Sequence, residues 1–281
     1  MMVAIRRLGA HLSTSGGVDQ AVRQAAAIGA NCLQVFSGSP RMWRRTSLDK
    51  IDAVKIQTAQ NELDVRPIFT HALYLVNLAS DKSELVQISA ESLKHDLRFD
   101  SHIQGSGVVV HLGSHQGRGF EAMKLQLVEQ LRQILADTPP NSTLLIENSA
   151  GQNGKIASDL TEIRWLLSQV SSSRLNWCFD TCHAFAAGIN LASVAAELTA
   201  LDLWSSLKVI HLNDSRDPFN SGRDRHGNFG EGTIPTESLR HFLQTPQVKS
   251  IPLITEAPGF DGHGPDAENI IRMKTLVSYN T

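Results

Sequence analysis

Short runs of apolar residues, four to six residues long, alternate along the chain with longer segments in which apolar residues recur every three or four positions. The short runs have the length of buried strands, and the longer segments have the period of amphipathic helices. The pattern predicts eight strands, over Arg7–Leu12, Cys32–Phe36, Pro67–Thr70, Val108–His111, Leu144–Glu147, Asn176–Asp180, Lys208–His211 and Leu253–Glu256. It also predicts helices between and after them, around Val18–Ile28, Leu48–Glu62, Ser83–Ile103, Phe120–Leu135, Leu160–Gln169, Leu191–Leu201, Thr236–Phe242 and Asp266–Val277.

This alternation of strands and helices is typical of an α/β protein built from repeated βα units around a parallel sheet. Eight units in 281 residues predict a (β/α)8 TIM barrel, with a doubly wound open sheet as the alternative. No low-complexity tract or Gly/Ser-rich linker divides the chain, so we expect a single domain over residues 1–281. The Gly-, Asp-, Arg- and Asn-rich segment Asp214–Thr233 is predicted to be a long functional loop, although its composition also fits a disordered insertion.

The composition, 41% hydrophobic and 19% charged residues, is sufficient for one large core. The opening MMVAIRRLGA reaches charged residues too early for a secretory signal, and no segment has the roughly 18 consecutive apolar residues of a membrane span. Three cysteines cannot all pair, which favours a reducing, cytoplasmic location. The net charge of −2 means that any nucleic-acid binding must depend on a local basic surface.

Six consecutive predicted strands end at, or are followed directly by, a histidine or a carboxylate. These residues are His71, His111, Glu147, Asp180, His211 and Glu256. In a parallel barrel these strand ends lie on one face, which is the face where active sites of this fold are built. Three carboxylates placed together repel one another unless protons or cations neutralise them. The sequence therefore predicts a metal centre on this face.

Two further short motifs extend the cluster, Asp180-Thr-Cys-His183 and Asp224-Arg-His226. Residues two apart in extended backbone point to the same side, so Asp224 and His226 can bind one ion together. With His183 they form a set of three ligands with an open fourth position, which is typical of catalytic zinc sites.

The six residues at the strand ends can bind two more ions if Glu147, in the middle of the series, bridges them. The proposed sets are His71, His111 and Glu147 for one ion, and Glu147, Asp180, His211 and Glu256 for the other. Imidazole and carboxylate ligands without thiolate suit zinc, with manganese or iron also compatible. Cys182 is interpreted as a packed neighbour, and His11 as a possible support for a ligand.

The motifs that contain these residues resemble those of the endonuclease IV family, the metal-dependent apurinic/apyrimidinic endonucleases, over essentially the whole chain. They are GAHLSTSGG at 9–17, HALYLVNLAS at 71–80, VVHLGSH at 109–115, IENSAGQ at 146–152, FDTCHAFAAG at 179–188, HLNDS at 211–215, DRHGNFGEG at 224–232 and TEAPG at 255–259. The chain departs from the family pattern at Ser149, Ile189, Gly227 and Ala257, none of which is a predicted ligand.

The resemblance implies a (β/α)8 barrel with a trinuclear zinc centre and the ligand sets given above. It implies hydrolysis of the DNA backbone 5′ to abasic sites, leaving a 3′-hydroxyl and a 5′-deoxyribose phosphate, together with trimming of 3′ ends. Glu147 and Glu256 are the expected catalytic residues. Glu147 lies beside the attacking water, and Glu256 orients or deprotonates it.

The resemblance also implies that Arg41, Tyr74 and Leu75 insert into double-stranded DNA at an abasic site, where little stacking opposes extrusion of the sugar. Local packing of these side chains is the alternative. Arg216, Arg223 and Arg225 are candidate phosphate contacts on the long loop. Such an enzyme is expected to be cytoplasmic and associated with the nucleoid. It is also expected to be a monomer, because no heptad segment offers an interface.

Two other functions fit parts of the pattern. A metal-dependent sugar isomerase or epimerase can use the same face of the same barrel, but it does not need the third ligand set. A DNA-binding module without catalysis does not explain nine residues of metal-ligand type.

Overall fold

A computed structural model of the protein describes residues 6–278. It contains ten strands, β1 (Leu8–Leu12), β2 (Cys32–Phe36), β3 (Ile68–His71), β4 (Val108–Val110), β5 (Leu144–Glu147), β6 (Leu175–Asp180), β7 (Leu207–His211), β8 (Asp214–Ser215), β9 (His226–Gly227) and β10 (Leu253–Thr255). Nine α-helices are described, α1 (Val18–Ala27), α2 (Ala53–Leu63), α3 (Ser83–His102), α4 (Phe120–Ala136), α5 (Leu160–Val170), α6 (Thr181–Ala186), α7 (Val194–Ala200), α8 (Thr236–Gln244) and α9 (Ala267–Ser278).

Eight of the strands form one closed parallel barrel. Each barrel strand pairs with the next one along the chain, and β10 closes the ring by pairing in parallel with β1, with Leu253 opposite Leu8. An open, doubly wound sheet has two edges and no such closing pair, so the TIM-barrel prediction is confirmed and the alternative is excluded. The short strands β8 and β9 form an antiparallel pair outside the barrel.

The predicted strands differ from the observed ones by a residue at most, whereas the helices differ more at three places. α7 begins at Val194 rather than Leu191. α2 begins at Ala53 rather than Leu48, because Asp52 caps it by accepting a hydrogen bond of 2.9 Å from the Lys55 backbone N–H. α6 was not predicted. Its six residues are all buried, so they lack the one-sided apolar period that marks a surface helix.

The strands alternate between two apolar layers. In β5, Leu145 packs inside the barrel, whereas Leu144 and Ile146 pack outward among the core residues between sheet and helices. The interior layer consists of Cys32, Phe69, Val109, Leu145, Cys178, Val209 and Ile254, one from each of seven strands. Gly9 has the corresponding position in β1, where a Cβ atom would lie 2.3 Å from the Cys32 carbonyl oxygen. The interior below the strand ends is therefore a packed apolar plug.

Two predictions concern residues at the ends of the chain. The expectation of no secretory signal depends largely on residues 1–5, and the predicted domain includes residues 1–5 and 279–281, so both predictions lie partly outside the described residues. Between residues 6 and 278, no helix combines the length and the apolar character needed to cross a membrane.

The carboxyl of Asp100 in α3 is buried outside the site. Burial raises its pKa to about 7, although the Thr70 hydroxyl donates a hydrogen bond of 2.7 Å to Oδ1 and the Gly107 backbone N–H donates another. The carboxyl is therefore protonated in the folded protein at mildly acidic pH, where in the unfolded chain it would be ionised.

We expect Asp100→Asn to make the free energy of unfolding less dependent on pH. In the wild type, the raised pKa contributes stability that is fully present below the unfolded pKa of 3.8 and is lost as pH rises to about 7. The loss is about 1.4 kcal/mol per pH unit over that window, and Asn, which cannot ionise, does not contribute to it. Denaturant titrations of both proteins between about pH 4.5 and 7.5 test this. Equal pH slopes would contradict it.

Candidate metal centre

A layer of polar side chains lies directly above the apolar plug. Side chains two residues apart on a strand point to the same face, so each residue of the interior layer is followed two positions later by another inward-pointing residue. The eight residues reached in this way, one per barrel strand, are His11, Gln34, His71, His111, Glu147, Asp180, His211 and Glu256. The six residues predicted at strand ends therefore lie in one ring at the carboxyl end of the barrel.

Glu147 lies at the centre of this ring and is fully buried. Its Oε2 atom is 3.1 Å from His71 Nε2 and 3.2 Å from His111 Nε2. Its Oε1 atom is 2.9 Å from His211 Nδ1 and 3.3 Å from His183 Nδ1. Because the two oxygens face different groups of histidines, this carboxylate has the geometry of a bridging ligand.

The structure brings together the two predicted strand-end sets. His71, His111 and Glu147 offer ligand atoms that all lie within 4.8 Å of one another, and so do Glu147, Asp180, His211 and Glu256. In the second set, His211 Nδ1 is 3.3 Å from Glu256 Oε2 and 3.9 Å from Asp180 Oδ2.

The third predicted set depends on elements outside the barrel. Asp180 ends β6 and caps α6 by accepting a hydrogen bond of 2.8 Å from the backbone N–H of His183, which directs this histidine into the site. Asp224 and His226 come from the long loop, which β8 and β9 pin back on itself through the hydrogen bond from Arg216 N to the Arg225 carbonyl. The long loop is therefore an ordered part of the site, and a disordered insertion is excluded.

Asp224 links the two histidines of the third set. Its Oδ1 atom is 2.9 Å from His183 Nε2 and 3.4 Å from His226 Nε2, while Lys155 Nζ lies 3.5 Å from Oδ2. His226 Nε2 is also 3.6 Å from Asp180 Oδ2, so the third set adjoins the second.

The pKa of each ionisable residue in the site depends on the charges of its neighbours. Burial alone would raise the pKa of Glu147, but the surrounding histidines hold it well below its usual range. Burial would lower the pKa of His183, yet Asp180 and Asp224 raise it well above its ordinary value. His111, in contrast, has its pKa lowered by burial to about 3. Without ions, the neighbouring histidines favour the ionised forms of Glu147, Asp224 and Glu256, whereas burial raises the pKa of Asp180.

The second ring nitrogen of several histidines supports a metal-binding role. His71 Nδ1 lies 2.7 Å from the Ala72 carbonyl oxygen, and His183 Nδ1 lies 3.0 Å from that of Asn148. His211 Nε2 lies 2.8 Å from Gln34 Oε1. A nitrogen that donates to such an oxygen leaves the opposite nitrogen with its lone pair facing the carboxylates, as metal ligands require.

Two buried nitrogen atoms test whether these residues suit a divalent cation. Within residues 6–278, His183 Nε2 and His226 Nε2 make no hydrogen bond, although both face Asp224. Buried polar nitrogens rarely lack a partner, and a cation between them and the carboxylate would satisfy both. The residues present therefore fit the divalent ions that the sequence predicts.

Two cysteines lie close to the ligand sets. Cys178 and Cys182 are fully buried, and burial raises the pKa of each thiol to about 12. Both thiols lie within reach of ligand atoms, Cys178 beside Glu147 and His211 and Cys182 beside Asp180 and His226, so the interpretation of Cys182 as a packed neighbour stays a prediction.

Two of the three predicted DNA-binding residues, Arg41 and Tyr74, line the entrance to the site. A cavity of about 850 Å³ is lined by His226 and Glu256 at its base and by Arg41 and Tyr74 at its rim. Tyr74 is 58% exposed even though its ring contacts Phe36 edge to face at 5.3 Å. Leu75 is only half-buried and packs against the hydrophobic core.

The candidate phosphate contacts on the long loop are differently placed. Arg225 forms a two-pronged ion pair with Asp217, and Arg223 Nη1 lies 3.5 Å from the same carboxylate. Both side chains stabilise the loop, and their charge is partly neutralised by Asp217.

Sequence reasoning missed three residues that support the site. Gln34 Nε2 donates to Glu256 Oε1 at 2.8 Å, Asn213 Nδ2 donates to Asp180 Oδ2 at 2.7 Å, and Lys155 pairs with Asp224. Gln34 lies two residues after the inward-pointing Cys32, so its side chain also points into the barrel, as the ligands in the other strands do. This alternation could have identified it. Lys155 has no such signal, because loop folding alone places it there.

Comparisons with known proteins agree with the fold and the site. A family model described as a xylose isomerase-like TIM barrel matches residues 22–275, and so the chain is a barrel of that class. The chain is 34% identical to the probable endonuclease 4 of Halothermothrix orenii, with 95% of this chain and 99% of that protein covered. It is 35% identical to the probable endonuclease 4 of Methanoculleus marisnigri, with 96% and 98% covered.

Among solved structures, endonuclease IV from Thermus thermophilus superposes with a TM-score of 0.83 at 34% identity, covering 96% of this chain and 98% of that one. A D-tagatose 3-epimerase-like protein superposes with a TM-score of 0.71 at 16% identity, which is a likeness of fold alone. The chain belongs to the endonuclease IV family. The resemblance carried by its motifs is therefore confirmed, as is the enzyme class, an AP endonuclease, that the resemblance implied.

We expect removal of divalent ions with a chelator to lower the melting temperature, because the four site carboxylates would lose their neutralising charge. Each ion present at about 100 times its Kd contributes about 2.7 kcal/mol, so the loss of a single ion corresponds to roughly 5–10 °C in a chain of this size. Zinc should restore the melting temperature. Magnesium, which prefers oxygen ligands, is the control and should not. An identical melting temperature with and without ions would count against a metal centre.

Proposed function

We propose that this protein hydrolyses double-stranded DNA 5′ to abasic sites with a centre of three zinc ions, leaving a 3′-hydroxyl and a 5′-deoxyribose phosphate. The same attack on a blocked 3′ terminus would trim 3′ ends. The observation that supports the proposal best is the position of Glu147, whose Oε2 faces His71 and His111 while its Oε1 faces His211. Asp224, which lies between His183 and His226, supports the third set. Manganese or iron are compatible substitutes for zinc.

Each ion would be held by one of the three sets. These are His71, His111 and Glu147; Glu147, Asp180, His211 and Glu256; and His183, Asp224 and His226. When bound, divalent ions lower the pKa of a water molecule and offset the negative charge that builds up on the phosphate and the departing oxygen.

Glu256 is well oriented to act on the attacking water. Its Oε1 atom lies 2.6 Å from His11 Nδ1 and accepts a hydrogen bond of 2.8 Å from Gln34, while Oε2 faces His211. Burial opposes ionisation of Glu256, but the neighbouring histidines hold its pKa well below its usual range, and it is thus ionised at neutral pH. Two neighbours fix the carboxylate in position, as a base that must meet a particular water requires.

In the proposed reaction, the water oxygen bonds to phosphorus as the bond from phosphorus to the 3′-oxygen of the preceding nucleotide breaks. One water proton passes to Glu256, and the 3′-oxygen leaves with the electron pair of the broken bond and takes up a proton from solvent water to become the 3′-hydroxyl. Glu256 then releases its proton to solvent, so one water is consumed and the carboxylate is restored. Lys155 pairs with Oδ2 of Asp224, which leaves Oδ1 directed to the two histidines of the third set.

Recognition of the substrate requires that an abasic sugar leave the duplex and enter the cavity above the ring. Arg41 and Tyr74 at the rim, with Leu75 behind them, combine positive charge with apolar surface suited to filling the gap left in the duplex. We propose double-stranded DNA with abasic sites as the partner. We further propose that the protein acts as a monomer in the cytoplasm, at the nucleoid.

A sugar isomerase or epimerase is the second candidate, since such barrels share the fold. The third set argues against it, because one or two ions suffice for proton transfer on a small sugar. A DNA-binding module without catalysis is disfavoured by the buried ionised ring, whose polar residues would serve no purpose in binding DNA.

We expect Glu147→Gln to abolish cleavage of a synthetic abasic duplex and to lower the bound metal, because an amide cannot supply a negative oxygen to two sets. The fold should persist, since Glu147 lies above the apolar plug. A nicking assay, elemental analysis and circular dichroism measure the three effects. Glu129→Gln, the same change at an exposed position of α4, is the control. Wild-type turnover by Glu147→Gln would refute the assignment.

We expect Arg41→Ala and Tyr74→Ala to weaken binding to an abasic duplex by about tenfold or more, since base stacking on an aromatic ring is worth about 1–3 kcal/mol. Neither side chain belongs to a ligand set, so metal content should not change. Gel-shift titration measures the affinity, and Tyr74→Phe, which keeps the ring, should bind almost normally. Unaltered affinity would assign these residues to local packing.

A further inference from the structure

Two loops carry the side chains that we propose to insert into DNA, and neither has regular secondary structure. The β2 loop, residues 37–47, carries Arg41, and the β3 loop, residues 72–82, carries Tyr74 and Leu75. Side chains on such segments hold an accurate position relative to a metal centre only if the loops are fixed elsewhere.

Both ends of the β2 loop converge on one buried carboxylate. Asp96 in α3 is fully buried; its Oδ1 accepts a hydrogen bond of 2.5 Å from the Ser37 hydroxyl, and its Oδ2 forms an ion pair of 2.8 Å with Arg45. Arg45 also donates to the hydroxyls of Ser37, at 3.2 Å, and Ser92. Residues 38–44 thus form a loop closed at its base by Asp96.

The tip of this loop is exposed, whereas its base is not. Arg41 is exposed and Met42 is 55% exposed, while Trp43 packs against the core. Next to the base, the Thr46 carbonyl oxygen lies 3.0 Å from His95 Nε2, a second contact with α3.

The same helix holds the β3 loop. The hydroxyl of Ser89, which is buried, accepts a hydrogen bond of 3.0 Å from the backbone N–H of Asn77 and donates one of 2.6 Å to the Leu85 carbonyl. Ser89, Ser92 and Asp96 follow one another at helical spacings of three and four, so they form a single polar stripe on α3.

We propose that this stripe, defined as Ser89, Ser92 and Asp96, is a positioning element for both DNA-inserting loops. The Arg45–Asp96 ion pair fixes the β2 loop and thereby places Arg41 at the rim of the cavity. It sets the affinity for abasic DNA without touching DNA or metal. The conformational entropy of the loop is then lost during folding rather than during DNA binding, so DNA binding is stronger. This inference rests on the proposed function.

The test compares two neighbouring arginines of the same loop. Arg45→Met removes the buried partner of Asp96, while Arg44→Met removes the same charge from an exposed side chain. We expect Arg45→Met to weaken abasic-duplex binding and to raise KM by about tenfold, which corresponds to about 1.4 kcal/mol. The kcat and the metal content should stay within about twofold of wild type, because the ring is untouched. We expect Arg44→Met to change affinity less than about threefold, and Arg45→Lys to regain part of the loss.

A second readout does not depend on DNA. The β2 loop of Arg45→Met should be cut by trypsin after Arg41 several times faster than that of Arg44→Met, at conditions where both proteins are folded. If Arg45→Met does not fold, Ser37→Ala removes one of the contacts to Asp96 and should show smaller changes in the same directions.

Equal affinity and equal trypsin cleavage in the two methionine variants would overturn the proposal. So would a loss of kcat or of bound metal in Arg45→Met, since the ion pair would then act on the metal centre. If Arg41→Ala binds abasic DNA normally, the proposed insertion fails by itself, and the trypsin comparison still decides whether the ion pair anchors the loop.

Discussion

The mutual repulsion of four carboxylates in one pocket is the constraint on which the site depends. Glu147 and Asp180 are fully buried, Glu256 offers an oxygen within 4.8 Å of both, and Asp224 shares His226 with Asp180. Ionising all four carboxylates without a compensating charge therefore costs a large free energy. The nearby histidines supply that charge only when protonated. Divalent cations supply it while leaving the imidazoles neutral, and the hydrogen-bonded second nitrogens of His71, His183 and His211 favour this state.

The barrel meets this constraint through strand geometry. A single step of two residues along each strand leads from an apolar residue in the plug to a polar one in the ring, as from Leu145 to Glu147 or from Val209 to His211. The apolar layer gives the ring a rigid floor and keeps water from reaching it from below. The positions of the ligands at the strand ends are consequently set by the closed, hydrogen-bonded sheet.

The features that distinguish this site from others on the same barrel come from its loops. His183 is directed by a single turn of helix capped by Asp180, and Asp224 and His226 are brought in by a loop that folds back through β8 and β9. Lys155 and Arg225 stabilise that arrangement by ion pairs, the first with Asp224 itself and the second with Asp217. The loops that follow the barrel strands, rather than the strands alone, therefore determine which function the fold carries.

The order of the strands and helices and most of the ring could be predicted from the amino-acid sequence. Strand periodicity is a local property, so Leu144–Glu147 and its seven counterparts could be located from the apolar runs, and the ligand at each strand end followed. The same alternation of side-chain direction would have identified Gln34 if residues that are not typical metal ligands had also been considered. Local period failed for α6, whose residues are buried on every side, and for the start of α2, where the Asp52 cap decides the boundary. Only the tertiary structure decided that Glu147 divides its oxygens between two sets, that Lys155 reaches Asp224, and that Arg45 and Ser37 share Asp96. Those contacts join residues far apart in the chain, and no pattern of neighbouring residues encodes them.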